Sequence, residues 1–252
     1  MAIEEKTYRD RMTELHESLL KDTDKEFIEF FDSFAFDEVA SQNDLDAKTG
    51  CIAVLAVLLG CQGIEEFRLV LSASYSLGVT VAEIKEVVYQ AAAYLGIGRS
   101  LPFLCAVNDF CKDNGIALPP DNRGTTDPTD RIEKGNQAQA DIFGEHMKGF
   151  QNSGPEESRH INRWLAGNCF GDYYTRKGLD HKQREMITFC FLYAQGGCEP
   201  QLISHIEANM RLGNDKLFLI KIISHCLPFI GYPRTLNALR CINEAAAKTG
   251  EK

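Results

Sequence analysis

The chain states one pattern twice. The stretch Gln90-Ala91-Ala92-Ala93-Tyr94-Leu95-Gly96-Ile97-Gly98-Arg99-Ser100-Leu101 returns in outline as His225-Cys226-Leu227-Pro228-Phe229-Ile230-Gly231-Tyr232-Pro233-Arg234-Thr235-Leu236, with Gly96 and Gly231, and Arg99 and Arg234, 135 positions apart. Gly78 and Gly213 keep the same spacing, and Leu45-Asp46-x-Lys48 answers Leu179-Asp180-x-Lys182 at 134. Solenoid repeats run about 20–50 residues, so a period this long marks a duplicated domain. Both copies must then suit one fold, and like domains can pack about a pseudo-two-fold axis as a homodimer does. Residues the copies share report on scaffold. A reactive side chain kept by only one of them points to function.

The shared pattern is helical. Ile52, Leu55, Ala56, Leu58 and Leu59 follow the period of a strongly buried helix. Thr80-Val81-Ala82-Glu83 has the form of a capping box, followed by the apolar stripe Ile84, Val87, Val88 and Ala91. Leu77-Gly78 predicts a left-handed stop before it, Gly96 and Gly231 end the next helices, and Pro233 suits the first turn of the last one. No stretch reads as a strand. Lead helices are expected around Phe27–Phe36 and His160–Phe170, with Trp164 in the core beside Ile161 and Leu165. The expected architecture is all-α, with two tandem helical repeats in pseudo-two-fold packing. The first spans 1–112 and the second 131–252. Between them, 113–130 is rich in turn residues, Pro119-Pro120 among them, and reads as a linker.

Composition excludes several classes. With 36 acidic against 27 basic residues and a net charge of −9, no basic run offers a footprint for nucleic acid. No apolar run reaches the roughly 18 residues of a membrane helix. The polar start Met1-Ala-Ile-Glu-Glu-Lys does not resemble a secretory signal. Nine cysteines without a Cys-x-x-Cys pair or zinc-ligand spacing read as buried free thiols in a reducing cytoplasm, with no metal or other cofactor expected.

The copies differ where chemistry is possible. Glu185 opens a buried helix that Gly196-Gly197 breaks, and Cys198-Glu199-Pro200-Gln201-Leu202-Ile203-Ser204-His205 begins the next. Pro200 suits a first helical turn, which puts Cys198 at a helix N-terminus, where free N–H groups and the dipole favour a thiolate. Gln201 and His205 share a face. Cys198 and His205 share one too, about 10 Å apart along the axis, so a substrate, a water or Glu185 would have to bridge them. At the repeat offset His205 becomes Val70, Gln201 becomes Glu66, Cys198 becomes Gly63 and Glu185 becomes Cys51. His225, opposite Gln90, is a weaker candidate for lining the same cavity. Arg99 and Arg234 recur, which favours a fold role, although Arg234 is also suited to holding a carboxylate. His16, His146, His160 and His181 lie in polar segments and read as solvated.

These residues resemble the carboxymuconolactone decarboxylase family, which includes the alkylhydroperoxidase-D-like proteins. The likeness runs through Arg184-Glu185, Cys198, His205, Leu212-Gly213 and Ile230–Ala238, and in the first copy through Leu77–Val87 and Gln90–Gly96. It implies an all-α oligomer built from dimers, so a fused pair would form a trimer, or a dimer, of this chain. One implied function is decarboxylation of a small carboxylated lactone or related acid, with His205 as general acid, Glu185 orienting it, and Gln201, His225 and Arg234 toward the substrate. A thiol peroxidase with Cys198 as nucleophile is the alternative. There Gln201 stands where that branch has its second cysteine, and Cys190 is the nearest other thiol in sequence. A non-catalytic ligand-binding or scaffold protein is the third.

Overall fold

The computed structural model describes residues 8–42, 44–118 and 122–250; Met1–Lys6 and Pro119-Pro120 lie outside them. Twelve α-helices follow in order among the described residues: α1 (Tyr8–Leu20), α2 (Lys25–Asp32), α3 (Ala47–Cys61), α4 (Ile64–Ser76), α5 (Val81–Leu95), α6 (Ile97–Asp113), α7 (Arg131–Phe143), α8 (Arg159–Trp164), α9 (His181–Gln195), α10 (Glu199–Arg211), α11 (Lys216–Ile230) and α12 (Tyr232–Thr249). The two lead helices do not stop where α2 and α8 end. Each widens into a π-helical run, Ser33–Val39 and Leu165–Tyr174.

Local chemistry sets the boundaries. Thr80 and Glu83 form the reciprocal capping box at the start of α5, and Asp180 and Gln183 do the same for α9. Gly96 and Gly231 join α5 to α6 and α11 to α12 at φ 79° and 80°, a backbone region where a Cβ is penalised. Those two matching turns fix the same elbow in both copies.

Helices α3 and α9 are the centre. Each is buried along nearly its whole length, α3 from Gly50 to Gly60 and α9 from Arg184 to Ala194. They pack against each other, so residues of both copies share one apolar core. The approach is close at Gly60, where a methyl group would collide with Ala194 and the Phe191 carbonyl. Each of Leu55, Leu58, Leu59, Phe189 and Phe191 stabilises this core by about 1.5–3 kcal/mol.

The other helices obey the pseudo-two-fold axis. Helix α5 of the first repeat packs on α9 of the second, and α11 of the second packs on α3 of the first. Each also touches the π-helical run of the opposite repeat. The all-α tandem architecture is therefore as expected, with the two frames interlocked where α5 and α11 each reach the opposite repeat.

Several local expectations are corrected. Trp164 is 62% exposed, not core: the α8 face carrying Ile161, Trp164 and Leu165 points outward, and the indole stacks edge-on with His160. His16 is not solvated. At 5% exposure its Nδ1 meets Asp32 at 3.2 Å and its Nε2 meets Glu66 at 3.1 Å, joining α1 to α2 and α4. His181 is half-buried. All nine thiols are free, but Cys61 and Cys105 are exposed and Cys198 is half-buried; the other six are buried.

Candidate active site

Asp180 caps α9, and the first turn then carries Arg184 and Glu185 into the interior, both fully buried. A buried carboxylate requires donors to offset its lost hydration. Glu185 has them on both oxygens. Tyr174, at the end of the π-helical run, donates to Oε1 at 2.8 Å, and His205 Nδ1 donates to Oε2 at 2.7 Å. A carboxylate only accepts, so the hydrogen sits on Nδ1 of His205 and leaves Nε2 for other work. Asn209, one turn along α10, donates to the backbone oxygens of Glu185 and His205 at 2.9 and 2.8 Å, and Asn214 donates to Asn209 Oδ1. That lock fixes α10 against α9.

Behind Tyr174 the hydrogen bonds continue into the first repeat. Its hydroxyl lies 2.6 Å from Thr188 Oγ1 and 2.9 Å from the hydroxyl of Tyr94 on α5. Gln90, also on α5, donates to Thr188 Oγ1 and to the Arg184 carbonyl, both at 2.8 Å. Burial pushes the hydroxyls of Tyr94 and Tyr174 well above the usual tyrosine range, so both keep their protons. A buried ion-pair group closes the far end: Glu86 receives Arg184 at 3.0 Å and both Nε and Nη2 of Arg176 at 3.0 Å.

His205 itself is 9% exposed and lies between two aromatic edges, Tyr94 at 5.6 Å and Phe143 at 5.2 Å between ring centres. Phe143 is also one wall of an open groove of about 590 Å³ between the end of α7 and α10. Met147, Phe150, Ala208 and Met210 give the groove apolar sides, while His146, Glu207 and Arg211 supply polar groups. Phe143 therefore touches both this space and the buried imidazole.

The remaining expected residues lie elsewhere. Cys198 is the N-cap of α10, yet its pKa is raised, not lowered: burial outweighs the Gln195 amide and Arg234, and Glu199 adds to the rise. Its thiol donates to the Leu192 carbonyl at 3.4 Å. Cys190 is sealed beside Cys226, and the thiol close enough to act on Cys198 is Cys241. Arg234 lies over Gly196, whose missing side chain makes the room. Gly196 is eleven residues from Glu185, about 16 Å along α9. Arg99 crosses between the repeats to donate to Gln195 Oε1 at 3.2 Å. Gln201 is exposed on the first turn of α10. His225 turns Nε2 inward against Gly50 of α3, where it finds no hydrogen-bond partner among the described residues, and burial lowers its pKa to about 4. Sequence reasoning paired Glu185 with His205 but passed over Tyr94, Tyr174, Thr188 and Phe143. Tyr94 did carry a signal, because the second copy has Phe229 there and the hydroxyl belongs to one copy alone. Among the described residues no three His, Cys, Asp or Glu side chains are grouped to hold a metal ion.

The sequence profile of the carboxymuconolactone decarboxylase family matches residues 25–107 and 160–244, which together cover most of the chain. The chain belongs to that family. Within it, 4-carboxymuconolactone decarboxylase of Acinetobacter baylyi is 34% identical over 98 residues, 39% of this chain and 73% of the relative. The fold is shared by a crystal structure from Burkholderia xenovorans LB400 described as a gamma-carboxymuconolactone decarboxylase subunit, with TM-score 0.56 and 19% identity over 96% of this chain and 97% of that one. Both family segments begin at a lead helix. Helices α1 and α7, and with α7 the groove wall Phe143, lie outside them.

Proposed function

We propose that this protein removes CO₂ from a small carboxylated lactone or a related acid, with His205 as the general acid. The observation that carries the reading is the buried Glu185–His205 pair, 2.7 Å apart, whose imidazole packs on Phe143, a wall of an open groove. Loss of CO₂ breaks a carbon–carbon bond and leaves its electron pair on the substrate, where a neighbouring carbonyl accepts it as an enolate. One proton on carbon completes the reaction. Protonated His205, with Nδ1–H held by Glu185, delivers that proton from Nε2, and the imidazole recovers it from water. Arg211, whose guanidinium lies beside Gly144 at the groove edge, is the cation placed to hold a carboxylate, and Phe143 must turn aside for the substrate to reach Nε2. Less supports the thiol reading, because Cys198 is held as a donor with a raised pKa and Gln201 supplies no second thiol.

The same reading makes the chain a self-associating protein of the cytoplasm, with a trimer of the fused pair as its assembly. Large apolar side chains are exposed at equivalent places in both copies: Ile97 and Leu101 match Tyr232 and Leu236, and Phe27 and Phe30 match Ile161 and Trp164. No helix among the described residues is long and apolar enough to cross a membrane.

The test is CO₂ release from a panel of carboxylated lactones that includes 4-carboxymuconolactone. Turnover is expected, and His205→Gln should lower kcat by about 100-fold or more, as loss of a general acid does. A variant with near-native turnover would remove His205 from the mechanism, and an inactive wild type across the panel would remove the reaction class.

A further inference from the structure

At the positions that match Glu185 and His205 the first repeat has Cys51 and Val70, so its own centre is gone. Its helix α5 nevertheless reaches the surviving centre with two polar groups, Gln90 and Tyr94. We propose that the first repeat completes the second repeat's site, with Tyr94 as a positioning residue that acts through Tyr174 to fix Glu185, and through Glu185 to fix His205.

The order of the hydrogen bonds carries this inference. Tyr174 has one hydroxyl proton and gives it to Glu185 Oε1, which can only accept. Its oxygen must therefore accept from both of its other neighbours, the hydroxyls of Thr188 and Tyr94. Thr188 is free to donate because its own oxygen accepts from the Gln90 amide. Every donor in the chain points the same way, toward the carboxylate, and two of its sources belong to α5. Donors aligned in series polarise one another, so the Tyr174–Glu185 bond is strengthened by groups that never touch Glu185. Tyr94 also packs nearly perpendicular to the His205 ring, which limits how the imidazole can tilt. In the mirror position Phe229 carries no hydroxyl and meets Phe31 instead.

This role deepens the general-acid reading of His205, and its test needs no substrate. The titratable groups around the pair are Tyr174 and Cys169 from the π-helical run, Tyr94 from α5, and His181 and Arg184 from α9, while α7 and α10 present Phe143 and Asn209. Removing a donor from a carboxylate makes it more basic, and the carboxylate–imidazole pair then holds its protons more tightly. In the full-length protein, NMR titration of the His205 imidazole should show the midpoint rising by about one pH unit in Tyr174→Phe, which removes the direct donor, and by a few tenths of a unit in Tyr94→Phe, which acts through it (roughly 10–30% of one bond). Tyr193→Phe, which removes a buried hydroxyl elsewhere on α9, should leave the midpoint in place. A midpoint unchanged in a folded Tyr94→Phe or Tyr174→Phe protein would overturn the proposal. A protein that fails to decarboxylate anything would leave this measurement intact, so the two readings fail separately.

Discussion

A single residue, His225, makes the pH dependence of this fold predictable. Burial holds its folded pKa at about 4, against an ordinary value of 6.5. Between those values the unfolded chain takes a proton that the folded chain refuses, so stability is lost as pH falls from 6.5 toward 4, by up to about 3 kcal/mol. His16 works the other way. Its pKa is raised, because Glu66 and Asp32 together outweigh burial, and its contribution is present at low pH and lost as pH climbs past its folded value. Replacing His225 with Gln, the residue the first copy uses, should flatten the acid side of a stability–pH curve measured by urea unfolding. A variant whose midpoint falls between pH 6.5 and 4.5 as steeply as the wild type's would show that His225 is not the group responsible. At this scale the Glu185–His205 pair was legible, because both residues are reactive and absent from the other copy. Tyr174 was not, since a tyrosine near a helix end looks like packing until the π-helical turns place it. Trp164 misled because an apolar helix face reads the same whether it meets a core or another molecule.

Among the elements, α7 depends most on one small residue. It packs against the run Leu165–Tyr174 so closely that a methyl group on Gly135 would overlap the Ala166 carbonyl, and one on Gly171 would overlap the Arg131 carbonyl. Gly135→Ala gains about 1 kcal/mol of helix propensity. Against backbone atoms that cannot swing away, the collision should cost more, leaving the protein destabilised by about 2 kcal/mol or more in denaturant unfolding. Since α7 carries Phe143, the groove should open at the same time, visible as faster hydrogen exchange at residues 136–150. Equal or higher stability would mean that α7 can shift outward freely. In the first repeat α1 is tied down differently, by the His16–Asp32–Glu66 cluster instead of glycines. Helix identities and their glycine stops were readable because caps and left-handed turns are local. The π-helical widening was not, since it answers to neighbours that are distant in sequence.

On the scale of the whole molecule, the repeated apolar positions set an expectation for assembly. Leu236 and Trp164 are exposed in one chain, and large exposed apolar patches mark interaction surfaces. Leu236→Asp and Trp164→Glu should each leave the fold intact while moving the protein toward single chains in sedimentation equilibrium, where the wild type is expected as a trimer. A wild type that sediments as a single chain would exclude the assembly. The duplication itself was plain from spacing, while the pseudo-two-fold packing was only an inference from it. The reach of α5 and α11 into the opposite frame was hidden, because amphipathic stripes show which side of a helix is buried without saying whose core receives it. That crossing bears on how such a chain can age. Once α5 serves an acid in the neighbouring half, mutations that erase its own half's chemistry cost little, yet the half cannot be discarded. The ancestral symmetry thus decays on one side only, and a vestigial domain survives as an indispensable part.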